Sequence, residues 1–154
     1  LGFTSLQASP ILAIIGGISI VGRIVLGRIS DNLGRKQVAM ACALFIAVAM
    51  LLLIEASSLW MLYTFAIIFG IFYGGITTII GAFIVETFDL SRIGAILGII
   101  EVGWAAGAAL GPVLAGYVFD ISGNYIFAFT AGFIAMLIVL ILIYLIKPTR
   151  SYNH

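Results

Sequence analysis

The sequence predicts an all-α integral membrane protein of five transmembrane helices. Three observations carry that prediction. The 154 residues are 64% hydrophobic and only 8% charged, with a mean hydropathy of +1.30. Soluble domains carry about a quarter charged residues, so this chain has too little polar surface to cover itself and needs lipid as its solvent. Five apolar stretches reach the ~20 residues that a bilayer-spanning helix needs. The Lys and Arg residues between them alternate from loop to loop in the way that sets membrane orientation.

The first stretch runs from Ala8 to Ile29. It reads as a span rather than a secretory leader, since no basic region precedes its apolar run and no small-residue cleavage site follows it. The second runs from Gln37 to Ile54, the third from Leu59 to Glu86, the fourth from Ile93 to Phe119 and the fifth from Ile126 to Ile146. None shows the ~10-residue alternating segments of a membrane β-barrel. Arg28, Arg35 and Lys36 separate the first two spans, Arg92 the third and fourth, and Lys147 and Arg150 follow the fifth. The intervening "EASS" and "DISGN" carry no cation. All basic loops therefore fall at one membrane face, expected to be cytoplasmic, and the carboxyl terminus shares it. Trp60 and Tyr125 fall at the opposite face, where interfacial aromatics gather.

Composition excludes several functions. Net charge is +1, and no basic run interleaved with aromatics points to nucleic acid. The lone Cys42 lies in an apolar run with no disulfide partner, and the single histidine is the last residue, His154. Neither suggests a metal or cofactor site. A membrane enzyme needs a nucleophile with its base, and no histidine stands within a span to serve. Enzymatic activity is not expected. Five helices alone also suit a small structural or channel-forming oligomer.

One stretch echoes another. Gly22, Gly27, Asp31 and Gly34 recur as Gly111, Gly116, Asp120 and Gly123 with the same spacing of five, four and three. Each set closes a span and enters a tight loop. The copies stand three spans apart, so they face opposite sides of the membrane. That is the pattern of inverted three-helix repeats, an arrangement of secondary transporters. The second unit is complete, whereas the first lacks the helix that should precede its motif. A helix is therefore expected before Leu1.

"GRISDNLGRK" resembles the loop signature of the major facilitator superfamily, with Gly27, Asp31, Gly34, Arg35 and Lys36 matching and Asn32 departing from a position often basic. "SRIGAILGIIEVGWAAGAALGPVLAGYVFDISGNYIFAF" resembles the family's eleventh helix and the start of its twelfth. The resemblance covers nearly the whole chain and implies helices eight to twelve. Residues 1–154 would then form a partial carboxyl-terminal six-helix domain, working with an absent amino-terminal half. The function implied is secondary active transport of a small solute by alternating access. The branch most resembled is that of organic anions, such as the monocarboxylate and oxalate–formate carriers. The membrane implied is the cell, or inner, membrane.

The resemblance also assigns roles. The signature loop would be a cytoplasmic latch, with Asp31 capping or pairing at the interface of the two halves and Arg35 tied to Glu86, near Asp89. A simpler reading leaves Arg28, Arg35 and Lys36 as topology determinants only. Gly107, Gly111, Pro112 and Gly116 in "GAALGPVLAG" resemble the family's antiporter signature, but here read as a small-residue face for close helix packing.

Candidate transport residues follow from residue type and depth. Gly70, Gly74, Gly75 and Gly81 interrupt the long third span around Tyr73, Thr77 and Thr78, and transport sites use irregular helices near the midplane. These residues, with Trp104, are substrate candidates. The alternative is that the threonines bond their own helix backbone and Tyr73 packs. Arg23 and Glu101 are ionisable residues well inside spans. Each lies ~7 Å from the midplane on the same side. Burying Arg in lipid costs at least ~2.5 kcal/mol, so such residues face a cavity or a partner. Arg23 is a candidate for a substrate carboxylate and Glu101 for a coupled proton. A fixed structural pair, or Arg23 snorkelling along its stem, accounts for the same residues.

Overall fold

The computed structural model describes residues 5–87 and 93–146. Asp89, Arg92, Lys147, Arg150 and His154 lie outside the described residues. Five helices follow in order: α1 Ser5–Leu33, α2 Arg35–Ile54, α3 Leu59–Thr87, α4 Ile93–Ser122 and α5 Ile126–Leu145. Each is long and apolar enough to cross a membrane. In lipid the helix satisfies every backbone polar group internally, which is why the apolar stretches take this form.

Two boundaries differ from expectation in an informative way. The first span, expected to end at Ile29, continues to Leu33, and α2 starts at Arg35. The "loop" signature is therefore helix on both sides of one residue, Gly34. Asp31 of α1 and Arg35, the first residue of α2, bond across that bend, Nη2 to Oδ1 at 3.4 Å. The fourth helix, α4, also runs past its expected end at Phe119, to Ser122.

Gly34 has φ +94° and Gly123 has φ +69°; these are the positive-φ residues of the described chain. Both bends need glycine, since a side chain clashes in that conformation. The two glycines also make equivalent bonds: the N–H of Gly34 donates to the carbonyl of Ser30 at 3.0 Å, and that of Gly123 to Phe119 at 2.8 Å. The repeated spacing thus corresponds to a repeated way of ending a helix.

The core sits between α2, α3 and α5. Val38, Ala39, Cys42, Ala43 and Ile46 of α2 pack with Ile76 and Ile79 of α3 and Ile143 of α5. Cys42 is fully buried there as a packing residue. The most extensive contact joins α1 to α3, and small residues make it possible. A methyl group on Gly22 would strike the carbonyl oxygen of Ile71, and one on Gly74 that of Ser19. Gly70 similarly faces the backbone of Ile15, and Gly75 the side chain of Leu26. Close approach replaces the absent hydrophobic drive as the source of attraction between helices in lipid.

This corrects the expectation for the third span. Its glycines do not break the helix, which is continuous from Leu59 to Thr87. Gly70, Gly74 and Gly75 thin it so that α1 can lie against it, and Gly81 has nothing within contact. The fourth span differs in the opposite sense. No residue of α4 is buried, and nothing lies within contact of a methyl group placed on Gly107, Gly111 or Gly116. The small-residue face around Pro112 has no partner among the described helices, because α4 touches α3 and α5 only lightly.

Candidate functional site

Where α4 stands off from α3, a cleft of about 290 Å³ opens. Small-molecule sites begin near ~300 Å³. Arg23 of α1, Tyr73 and Thr77 of α3, and Glu101 and Trp104 of α4 all line it. Five of the six substrate candidates from three separate helices thus converge on one space. Ile80, Gly81, Ile84, Leu97 and Ile100 supply the apolar walls. Apart from Gly81, these wall residues carried no sequence signal, since an isoleucine facing a cleft looks like one facing lipid.

The sixth candidate, Thr78, does not line the cleft. Its hydroxyl donates to the Gly74 carbonyl at 3.3 Å, and its methyl group turns toward Gly27 of α1. Thr77 shares the Gly74 carbonyl at 2.9 Å. The expected back-bonding to the helix therefore holds for both hydroxyls, while Thr77 faces the cleft as well. Tyr73 also packs as foreseen, its ring stacked on Phe69 with centroids 5.3 Å apart. Among the described residues no ion pair joins Arg23 to Glu101. They share a cleft with opposite charges and space between.

A second cluster gathers at the end of the bundle that carries the basic residues. Arg35 pairs with Glu86, Nε to Oε1 at 3.2 Å, and also reaches Asp31. Gly27 accepts a bond from the buried Ser30 hydroxyl at 2.6 Å. One partnership was missed from sequence. Lys36 donates to the carbonyls of Tyr144 and Ile146, each at 2.7 Å, and its ammonium lies 5.6 Å from the Tyr144 ring centre. A cation over the last carbonyls of a helix satisfies acceptors that have no intrahelical partner and opposes the negative end of its dipole. Lys36 stands 108 and 110 positions from these two partners, and neither spacing nor periodicity connects them. Consecutive residues Arg35 and Lys36 thus tie the start of α2 to α1, α3 and α5.

Comparison with known proteins places the chain in a family. Rat monocarboxylate transporter 12 is 31% identical over 99% of the chain. The multidrug resistance protein MdtG of Serratia proteamaculans is 31% identical over 77% of it. The class H tetracycline resistance protein of Pasteurella multocida is 29% identical over 87%. The chain spans about a third of the length of each, namely 32%, 29% and 33%. No solved structure matches it. Residues 1–153 match the family described as Major Facilitator Superfamily; on this match, with five helices long and apolar enough to cross a membrane, the chain belongs to the Major Facilitator Superfamily.

Proposed function

We propose that the chain is the carboxyl-terminal part of a secondary transporter that moves a small organic anion by alternating access, and that the Arg23–Glu101 cleft contributes to its transport path. The observation that carries this reading is the convergence of Arg23, Tyr73, Thr77, Glu101 and Trp104 on one space. Arg23 supplies a fixed positive charge for a carboxylate. Trp104, Ile80 and Ile100 supply apolar surface for the rest of a small acid. Glu101, when protonated, no longer competes with the substrate for Arg23; when ionised, it does. Anion and proton movement are coupled through that competition. The likeness to monocarboxylate transporter 12 supports an anionic substrate.

Glu86 and the signature residues serve this reading as a latch. In water-exposed surroundings the Arg35–Glu86 pair is worth ~0–1 kcal/mol, sufficient to bias two states separated by a few kcal/mol and insufficient to hold the fold. The basic end faces the cytoplasm of a cell membrane, and the open small-residue face of α4 packs against helices of the rest of the transporter. Transport, not catalysis, is the activity of the assembled protein.

The test uses the full-length carrier in proteoliposomes with radiolabelled short-chain monocarboxylates. Arg23→Gln is expected to raise KM for the anion at least tenfold. Unchanged KM overturns the anion-binding role. The 154 residues alone are expected to give no saturable uptake, and saturable uptake by them overturns the partial-domain reading.

A further inference from the structure

Trp104 stands well inside α4, away from the membrane interfaces where tryptophans gather. Trp60 is the ordinary case: it is the second residue of α3, and its ring meets Tyr63 with centroids 6.3 Å apart. Trp104 has neither feature. Among the described residues its ring has no aromatic partner and its N–H has no hydrogen bond. An indole N–H without an acceptor is costly inside a membrane. What this side chain does face is the cleft that holds Arg23.

We propose that Trp104 selects the body of the substrate, so that the cleft prefers arylcarboxylates, with the ring on the indole and the carboxylate at Arg23, over saturated acids of the same size. The inference rests on the anion-binding role proposed for Arg23 and adds the chemistry of the other end of the ligand.

Helix geometry puts the two ends within one space. Leu97, Ile100, Glu101 and Trp104 all line the cleft, and their spacing of i, i+3, i+4 and i+7 is one face of a helix. Trp104 follows Glu101 by one turn, ~4.5 Å further from the basic end of the bundle. The charged groups and the indole are therefore successive parts of one wall rather than separate sites.

The rest of the lining leaves the indole as the surface that discriminates. Tyr73 is the other ring there, and it is already stacked on Phe69 at 5.3 Å and 11°. The Thr77 hydroxyl is committed to the Gly74 carbonyl at 2.9 Å, so it has no proton to donate to a hydroxylated substrate. Ile80, Ile84, Leu97 and Ile100 add apolar surface without a preference for unsaturation. A planar π-system gains from stacking on an indole beyond the area it buries, and a guanidinium also stacks on aromatic faces.

The test compares benzoate with cyclohexanecarboxylate as inhibitors of labelled monocarboxylate uptake by the full-length carrier, at one pH of about 7.5 on both sides of the membrane, where both acids are ionised. The saturated ring is the more hydrophobic, so burial alone favours cyclohexanecarboxylate. Stacking is expected to reverse that order, with an inhibition constant about three- to tenfold lower for benzoate. Trp104→Leu is expected to abolish the preference and Trp104→Phe to retain part of it, whereas Arg23→Gln should weaken both inhibitors alike. Equal inhibition by the two acids in the parent carrier, which needs no variant to read, overturns the proposal and leaves the anion-binding reading intact. A preference that survives Trp104→Leu unchanged does the same. Inhibition by both acids that is unaffected by Arg23→Gln overturns the anion-binding reading itself, and this inference with it.

Discussion

Arg35 Nε lies 3.2 Å from Glu86 Oε1, so the first residue of α2 is held to the last turn of α3. The Arg35 side chain is 26% exposed and that of Glu86 43%. At such exposure water screens the pair, and its coupling energy is expected at ~0–1 kcal/mol. A double-mutant cycle with Arg35→Gln and Glu86→Gln, read by thermal unfolding in detergent, measures it. A positive coupling that shrinks in high salt is expected. Strictly additive single effects would show that the contact contributes nothing.

That pair was legible before any coordinates, from opposite charges at one edge of a membrane together with the family resemblance of the signature loop. The five helices were legible for a related reason: in lipid, length and hydropathy nearly determine the structure. Helix contacts were not. Gly74 was read as a break in the third span, yet it is a contact surface, since glycine serves either purpose and only the position of α1 decides between them. Gly111 was read as a contact surface, and no described helix lies within contact of it. The cleft lay between these extremes. Arg23 and Glu101 stood out by charge alone, whereas Leu97 and Ile100 had nothing to distinguish them from lipid-facing residues.

The α1–α3 seam predicts a sharp contrast between glycines. Gly74→Ala sets a methyl against the backbone oxygen of Ser19, which cannot swing aside as a side chain can. Overpacking of this kind costs ~1–3 kcal/mol. Gly98→Ala, where nothing lies within contact, is expected to leave stability unchanged or to raise it through helix propensity, by up to ~1 kcal/mol. Thermal unfolding of the two variants in one detergent checks the contrast. Equal melting temperatures would contradict the packing described.

Lys36 predicts a local effect. Its ammonium satisfies the Tyr144 and Ile146 carbonyls, so Lys36→Met should loosen the last turn of α5 without disturbing α3. Hydrogen exchange is the appropriate reading. Amides of residues 142–146 are expected to exchange faster by about fivefold or more, corresponding to the ~1 kcal/mol that a helix-terminal charge contributes. Protection along Ile76–Ile79 should remain. Arg in place of Lys should restore part of the loss, because it too can donate to carbonyls.

The most consequential prediction concerns Glu101. It lines the same cleft as Arg23, and no ion pair fixes the two together among the described residues. A structural pair would be closed in the resting protein, and removing either charge would leave the other buried and destabilise the fold by several kcal/mol. An open arrangement predicts something different. Glu101→Gln removes the titratable group, keeps its size and leaves Arg23 free for substrate. In the full-length carrier this variant should retain anion exchange at equal pH on both sides, while uptake driven by an imposed proton gradient falls to the level of the gradient-free reaction. Its melting temperature should stay close to that of the parent. On the proposed reading Arg23→Gln should act on anion affinity and Glu101→Gln on the proton gradient, so the two variants separate the roles. Proton-driven uptake that survives Glu101→Gln intact would remove this carboxylate from the coupling mechanism and leave Arg23 to be judged on affinity alone.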